Sequence, residues 1–277
     1  MKRARAVVRV PIPRDDGKAN EGWKTENDAK ETWCATMQRE MTREVFAFVA
    51  YARDILPERL DVLIANDDEE EEEEENMKRE RNGIDGVREM RGRRTIGERR
   101  VQRCAKEASA WAKESLTVEM FRTLKPEKVI MALGTTANRM RERYDIDFTR
   151  VRAEGRAWGE KSGGYGRRAV RAFVPLAATC APPQSNGLRA SFFVTTKVVV
   201  SGDGGVSGYT LKRGFKPIMK DCERRTLRVE FEVDGGDDAR ANDGVVEDDD
   251  DDDEDVMWYQ ADLAIRAVPS NAGGDED

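Results

Sequence analysis

The side chain that most often carries acid–base chemistry near neutral pH is missing, because none of the 277 residues is histidine. That removes the Ser–His and Cys–His nucleophile pairs, an imidazole general base and every histidine-containing metal site. The four cysteines, Cys34, Cys104, Cys180 and Cys222, stand far apart with no Cys-x-x-Cys among them, which rules out a zinc ribbon and a dithiol redox motif. Scattered single cysteines point instead to a reducing compartment. Lys161-Ser162-Gly163-Gly164-Tyr165-Gly166 precedes a helical pattern, and glycine amides there can cradle a phosphate. The frame of a phosphate-binding loop, with its Gly-Lys-Ser/Thr ending, is absent, so a turn leading into the helix is expected. Leu133-Gly134-Thr135-Thr136 is no closer to such a frame. No serine, threonine, lysine or carboxylate stands in a recognisable catalytic constellation, and no cofactor is implied. The residues point to binding, not catalysis.

Charge is abundant but segregated. Asp67 to Glu75 and Glu247 to Asp255 are unbroken acidic runs, and outside them the 48 lysines and arginines outnumber the carboxylates. The net charge of −7 therefore describes two acidic inserts on a basic body. A run of aspartates or glutamates lacks the alternating ligands and central glycine of a calcium loop. The basic residues between 78 and 103 have no interleaved aromatics on which bases could stack, and the adjacent acidic run can neutralise them, which argues against nucleic acid as a partner. Around 64–96 and 235–255 there is too little apolar surface to offset chain entropy, so both are expected to be disordered inserts, as is the tail at 269–277. No apolar run approaches the ~18 residues needed to span a membrane. With no signal-like core after the basic start, a soluble intracellular protein is expected.

The elements follow from periodicity. Ala4 to Val10 reads as a short edge strand stopped by Pro11 and Pro13. Trp33, Met37, Met41, Val45, Phe48, Val49, Ala52 and Leu56 recur at helical spacing over about 31–56, with Pro57 beyond. A second helix is expected from Gly97 to Thr123, with Cys104, Ala108, Trp111, Ala112, Ser115 and Phe121 on a narrow small-residue stripe. Val129 to Leu133 is a continuous apolar run of the kind covered on both faces of a sheet, and Tyr144 to Phe148 alternates as its partner. A third helix spans about Arg167 to Thr179, interrupted near Pro175. Strands are expected at Leu188–Val200, Val206–Leu211, Thr226–Val233 and Val256–Val268. Helices early and strands late predict an α+β domain over residues 1–268, with about three helices packed on one face of a mostly antiparallel sheet.

Four stretches, in order, carry a resemblance. They are Val49-Ala50-Tyr51-Ala52-Arg53-Asp54-Ile55-Leu56-Pro57-Glu58; Phe121-Arg122-Thr123-Leu124-Lys125-Pro126 leading into Val129 to Gly134; Tyr144-Asp145-Ile146-Asp147; and Val256-Met257-Trp258-Tyr259-Gln260-Ala261. Together they resemble the comet family, the Mad-two-binding adaptors of the spindle assembly checkpoint, which have a HORMA fold. The resemblance implies a single HORMA-like domain that binds the closed conformer of Mad-two. It would hand this partner to a hexameric Pch-two-type AAA+ ATPase and so silence the checkpoint without chemistry of its own. It also implies a location in nucleus and cytoplasm, with spindle or kinetochore association in mitosis.

Matched position by position, the resemblance puts the Mad-two contact at Ala52, Arg53, Arg167, Arg168, Val170, Arg171 and Phe173. Val170 stands where the family has an aromatic residue and Ala52 where it has a glutamine. Independently of the family, Arg167 and Arg171 lie one helical turn apart with Arg168 beside them, a cationic rim around small apolar residues. The ATPase contact would be Phe215-Lys216-Pro217, a stiff peptide with a low ordering cost, although Ile218 replaces the lysine with which the family pattern continues. Trp258, Tyr259 and Gln260 would lie in a terminal strand like the family's safety belt. Two other readings stand beside this one. A HORMA protein that clamps a peptide of its own, as at chromosome axes or polymerases, would need a belt able to open. An acidic chaperone of basic proteins would work through residues 67–75 and 247–255.

Overall fold

The computed structural model describes residues 3–11, 26–81, 95–151, 164–178, 188–198, 206–215, 217, 222–232 and 256–268. Along the chain run β1 (Arg3–Pro11), α1 (Glu26–Ala52), α2 (Leu60–Arg81), α3 (Ile96–Ala110), α4 (Val118–Leu124), β2 (Lys128–Thr136), β3 (Arg139–Asp147), α5 (Tyr165–Ala178), β4 (Arg189–Thr196), β5 (Tyr209–Leu211), β6 (Glu223–Glu232) and β7 (Met257–Arg266). The strands form one sheet in the order β1-β6-β3-β2-β4-β7-β5. Strand β6 is parallel to β1 and to β3, and the remaining neighbours pair antiparallel. This is an α+β architecture with a mostly antiparallel sheet.

The apolar run at Val129 to Leu133 lies at the centre of that sheet because both its faces are covered. Val129, Met131 and Leu133 join the large cluster beneath the helices, while Ile130 and Ala132 join a smaller cluster on the opposite face with Phe193 and Trp258. Strand β1, whose prolines suit an edge, is the outermost strand. Helix α1 lies against α4 and α5 and buries Met37, Met41, Val45 and Val49, as its periodicity requires. Phe46 and Ala50 are also buried, because neighbouring helices widen the covered face beyond one stripe.

Two expectations are corrected. The single helix from Gly97 to Thr123 is three pieces. Helix α3 starts at a capping box between Thr95 and Glu98, passes into one π turn at Trp111–Ser115, and ends where the Leu116 amide bonds to the Trp111 carbonyl. Thr117 then caps α4 by accepting from the Met120 amide at 3.1 Å. The wider turn puts Trp111, Ala112 and Ser115 into the core together and lays the indole flat on Phe192, with ring centroids 4.3 Å apart.

The insert expected to be disordered at about 64–96 is helical over its first part, since α2 continues through the acidic run to Arg81. Glutamate is a good helix former, and a solvated helix needs only an anchor. Leu60 and Leu63 bury that anchor, and Lys113 of the π turn reaches Asp67 at 3.7 Å and Asp68 at 2.6 Å. Residues 82–94 of this insert, the insert at 235–255 and the tail at 269–277 lie outside the described residues.

Candidate functional site

Helix α5 holds five of the ten residues singled out for partner contact, and α1 fixes where it starts. Gly164 has φ +99°, a conformation that favours glycine. The amides of Gly164 and Gly166 both donate to Oε1 of Glu40, at 3.1 and 3.2 Å. Those amides are the ones a phosphate would have needed, and a carboxylate of the protein already occupies them. Gly166 packs so tightly on α1 that a Cβ there would lie 2.4 Å from Cγ of Glu44. Tyr165 meets Trp33 edge-on at 5.7 Å, and burial is the main cause that raises its phenol to about pKa 12.

From this start the side chains sort by helical period. Tyr165, Gly166, Ala169, Phe173 and Leu176 face the core. Arg167, Arg168, Arg171, Val174 and Pro175 are exposed, Val174 to 44%, and Val170 and Ala172 lie half-buried at the margin. The exposed face is thus cationic over its first turns and apolar over its last. Pro175 has no amide for the Arg171 carbonyl, a loss tolerated in the last turn of a helix on an exposed face.

Two of the expected contact residues face inward. Phe173 is fully buried, its ring 6.0 Å from that of Tyr144, so no partner reaches it. Arg53, at 5% exposure, forms an ion pair with Glu142, which also accepts from the Tyr144 hydroxyl. The guanidinium of Arg225 lies 5.7 Å over the Tyr144 ring. These groups tie the end of α1 to β3, β6 and the underside of α5. Ala52 beside Arg53 is exposed. Arg167, Arg168 and Arg171 are together on the surface, whereas Phe173 and Arg53 hold the scaffold beneath them. The sequence pattern also offers Val174, an exposed large apolar residue of α5 that continues the spacing set by Arg167 and Arg171.

The segment around Phe215 is also more built-in than a free loop. It connects β5 to β6, which lie near opposite ends of the strand order. The connection therefore has to cross the sheet, and both its described ends, Phe215 and Cys222, belong to the cluster on the face away from the helices. The Phe215 ring is stacked on Phe193 at 5.2 Å and lies 5.4 Å from Trp258. The aromatic is therefore an anchor for the crossing chain, not a side chain presented to solvent. Arg213 and Gly214 are exposed, Pro217 is half-buried, and Lys216 lies outside the described residues.

Strand β7, which carries Trp258, Tyr259 and Gln260, runs between β4 and β5 and pairs with both. Tyr259 points into the cluster beneath the helices and Trp258 into the opposite one, where the Arg143 guanidinium lies 5.4 Å over the indole. The last strand is an interior member of the sheet.

The two buried thiols among the described residues, Cys104 and Cys222, are poorly suited to nucleophilic attack. Burial pushes Cys104 up to about pKa 12 and Cys222 up to about 11, so neither carries a useful thiolate fraction near neutral pH. Cys104 instead donates to the Ile55 carbonyl at 3.3 Å. Among the described residues, no cluster of cysteines and carboxylates is arranged to hold a metal ion, and no helix is long and apolar enough to cross a membrane. Neither the family models nor the curated proteins compared with this chain match it.

Proposed function

We propose that the chain is a docking adaptor with no catalysis of its own. In this reading it is a HORMA-type protein that captures the closed conformer of Mad-two on α5 and presents it to a Pch-two-type AAA+ ATPase, silencing the spindle checkpoint. The observation that carries the reading is the exposed face of α5. Arg167 and Arg168 lie in its first turn, where the helix dipole disfavours cations, so helix stability does not account for them. Arginines beside an exposed apolar patch at Val174 and Pro175 have the make-up of an interface centre with a polar rim.

The position of β7 favours an adaptor over a peptide clamp, because releasing that strand would break two ladders and expose Trp258, Tyr259 and Ile265. The packed ring of Phe215 moves the expected ATPase contact to the exposed turn at Arg213 and Gly214.

The test is capture of Mad-two locked in its closed or open form. Val174→Glu, and separately Arg167→Glu with Arg171→Glu, are each expected to weaken capture of the closed form by about tenfold or more, on the order of 1.4 kcal/mol. Both variants should keep the circular dichroism and unfolding midpoint of the parent. Equal capture of open and closed forms, or undiminished capture by both variants, overturns the reading.

A further inference from the structure

We propose that the outer edge of β1 is a second docking site, which takes an extended acidic peptide as an added strand. The inference does not rest on the adaptor reading, since β1 and the exposed face of α5 carry different residues and are tested by different variants.

Strand β1 is the outermost strand, paired on one side with β6. Among the described residues no strand pairs with its other side, so the outward-facing backbone donors and acceptors between Ala4 and Val10 have no ladder partner there. Its side chains divide by the period of two. Val8 and Val10 are buried beneath the helices, while Arg3, Arg5, Val7 and Arg9 are exposed on the other face, Val7 to 45%. No carboxylate lies on the strand.

The next strands leave Arg5 and Arg9 without an ion-pair partner among the described residues. Across the register, Arg5 lies beside Thr226, Val7 beside Arg228 and Arg9 beside Glu230. Three described carboxylates on this face already have arginine partners. Asp145 accepts from Arg143 at 2.6 Å and Arg224 at 2.8 Å, Asp147 faces Arg228 at 3.6 Å, and Glu230 pairs with Arg150 at 2.8 Å. The positive surplus therefore falls at the edge, on Arg5 and Arg9, about 13 Å apart along the strand with Val7 between them. Carboxylates at every second position of a peptide in β conformation include a pair with that spacing, which would sit opposite them.

Edge arginines also keep two copies of a strand from pairing, by mutual repulsion. That same charge favours an acidic strand, so the edge selects among partners instead of excluding all of them. A single-stranded nucleic acid fits less well, because the exposed face of β1 offers no aromatic ring for a base.

The experiment uses the full chain and three probes as long as β1. One is a peptide with glutamate at alternate positions and valine or threonine between. The second is the same peptide N-methylated on alternate residues, which keeps the charge but blocks the ladder. The third is a single-stranded oligonucleotide of equal charge. The first peptide is expected to bind, to slow amide hydrogen exchange within residues 3–11, and to weaken at least tenfold with Arg5→Glu and Arg9→Glu or with raised ionic strength. The N-methylated peptide should lose most of this affinity, and Val174→Glu should leave it unchanged. No binding, binding without added protection in β1, or equal binding of the N-methylated peptide or the oligonucleotide overturns the proposal.

Discussion

A methyl group added at Gly166 would lie 2.4 Å from Cγ and 2.9 Å from Cβ of Glu44, and 3.2 Å from the Glu40 carbonyl oxygen. The first two contacts are with a side chain that can move, but the third is backbone, and Glu40 also holds the amides of Gly164 and Gly166. Gly166→Ala is therefore expected to destabilise the protein by about 1–3 kcal/mol, the usual cost of overpacking a tight contact, despite the better helix propensity of alanine. Urea unfolding reads this as a lowered midpoint, and an unchanged midpoint would show that α1 and α5 can separate without cost. At the other end of α1, Arg53 looks like a surface arginine in the sequence and is a buried ion-pair partner in the fold. Its neighbour Ala52 is exposed. Adjacent residues thus have opposite roles, because the helix ends between them.

Among the elements, the segment between β5 and β6 is held through Phe215. Phe215 fastens it to Phe193 and Trp258 on the sheet face opposite the described helices. Phe215→Ala is expected to cost about 2 kcal/mol, less than the ~3–5 kcal/mol of a fully buried phenylalanine because the ring is partly exposed. Phe215→Leu should recover much of that loss. A denaturant midpoint untouched by the alanine change would show that the ring is not a fastening. Helix α2 illustrates the opposite case. Its position depends on Leu60, Leu63 and the ion pairs to Lys113. In the described part of α2 beyond those anchors the carboxylates are mostly exposed, where their mutual repulsion is screened by salt.

For the molecule as a whole, the absence of histidine sets the pH response. With no imidazole, no unperturbed side chain titrates between about pH 5 and 8, so stability should be nearly flat there. On the alkaline side burial governs. Cys104, Cys222 and Tyr165 are neutral when protonated, and burial holds them so, at about pKa 12, 11 and 12 against ordinary values of 9.0, 9.0 and 10.0. The folded protein keeps these protons to higher pH than the unfolded chain does. The stabilisation they represent is complete below about pH 9 and is lost progressively as pH rises toward about 12. Unfolding free energy measured across pH should decline above about 9, and Cys104→Ala should make that decline shallower. A decline of the same steepness in the variant would place the alkaline loss on other groups.

Periodicity and local chemistry are short-range properties, and they were legible in the chain. The buried run at Val129 to Leu133, the edge strand stopped by Pro11, the helical stripe from Met37 to Val49 and the face of α5 that carries three arginines follow from side-chain spacing and from what proline and glycine permit. Other features depend on which element lies opposite, and spacing does not encode that. Arg53 is buried because β3 brings Glu142 beneath it, and Phe173 because Tyr144 lies under α5. Phe215 is packed because the strand order forces its segment across the sheet. The arginines of β1 read as scattered charges along the chain. They become one cationic edge only when the ladder with β6 places them on the same face. A side chain's type limits which neighbours it tolerates, but the neighbours themselves are chosen by contacts between residues far apart in the chain, and so the tertiary structure alone decided which of these charged and aromatic groups are available to a partner.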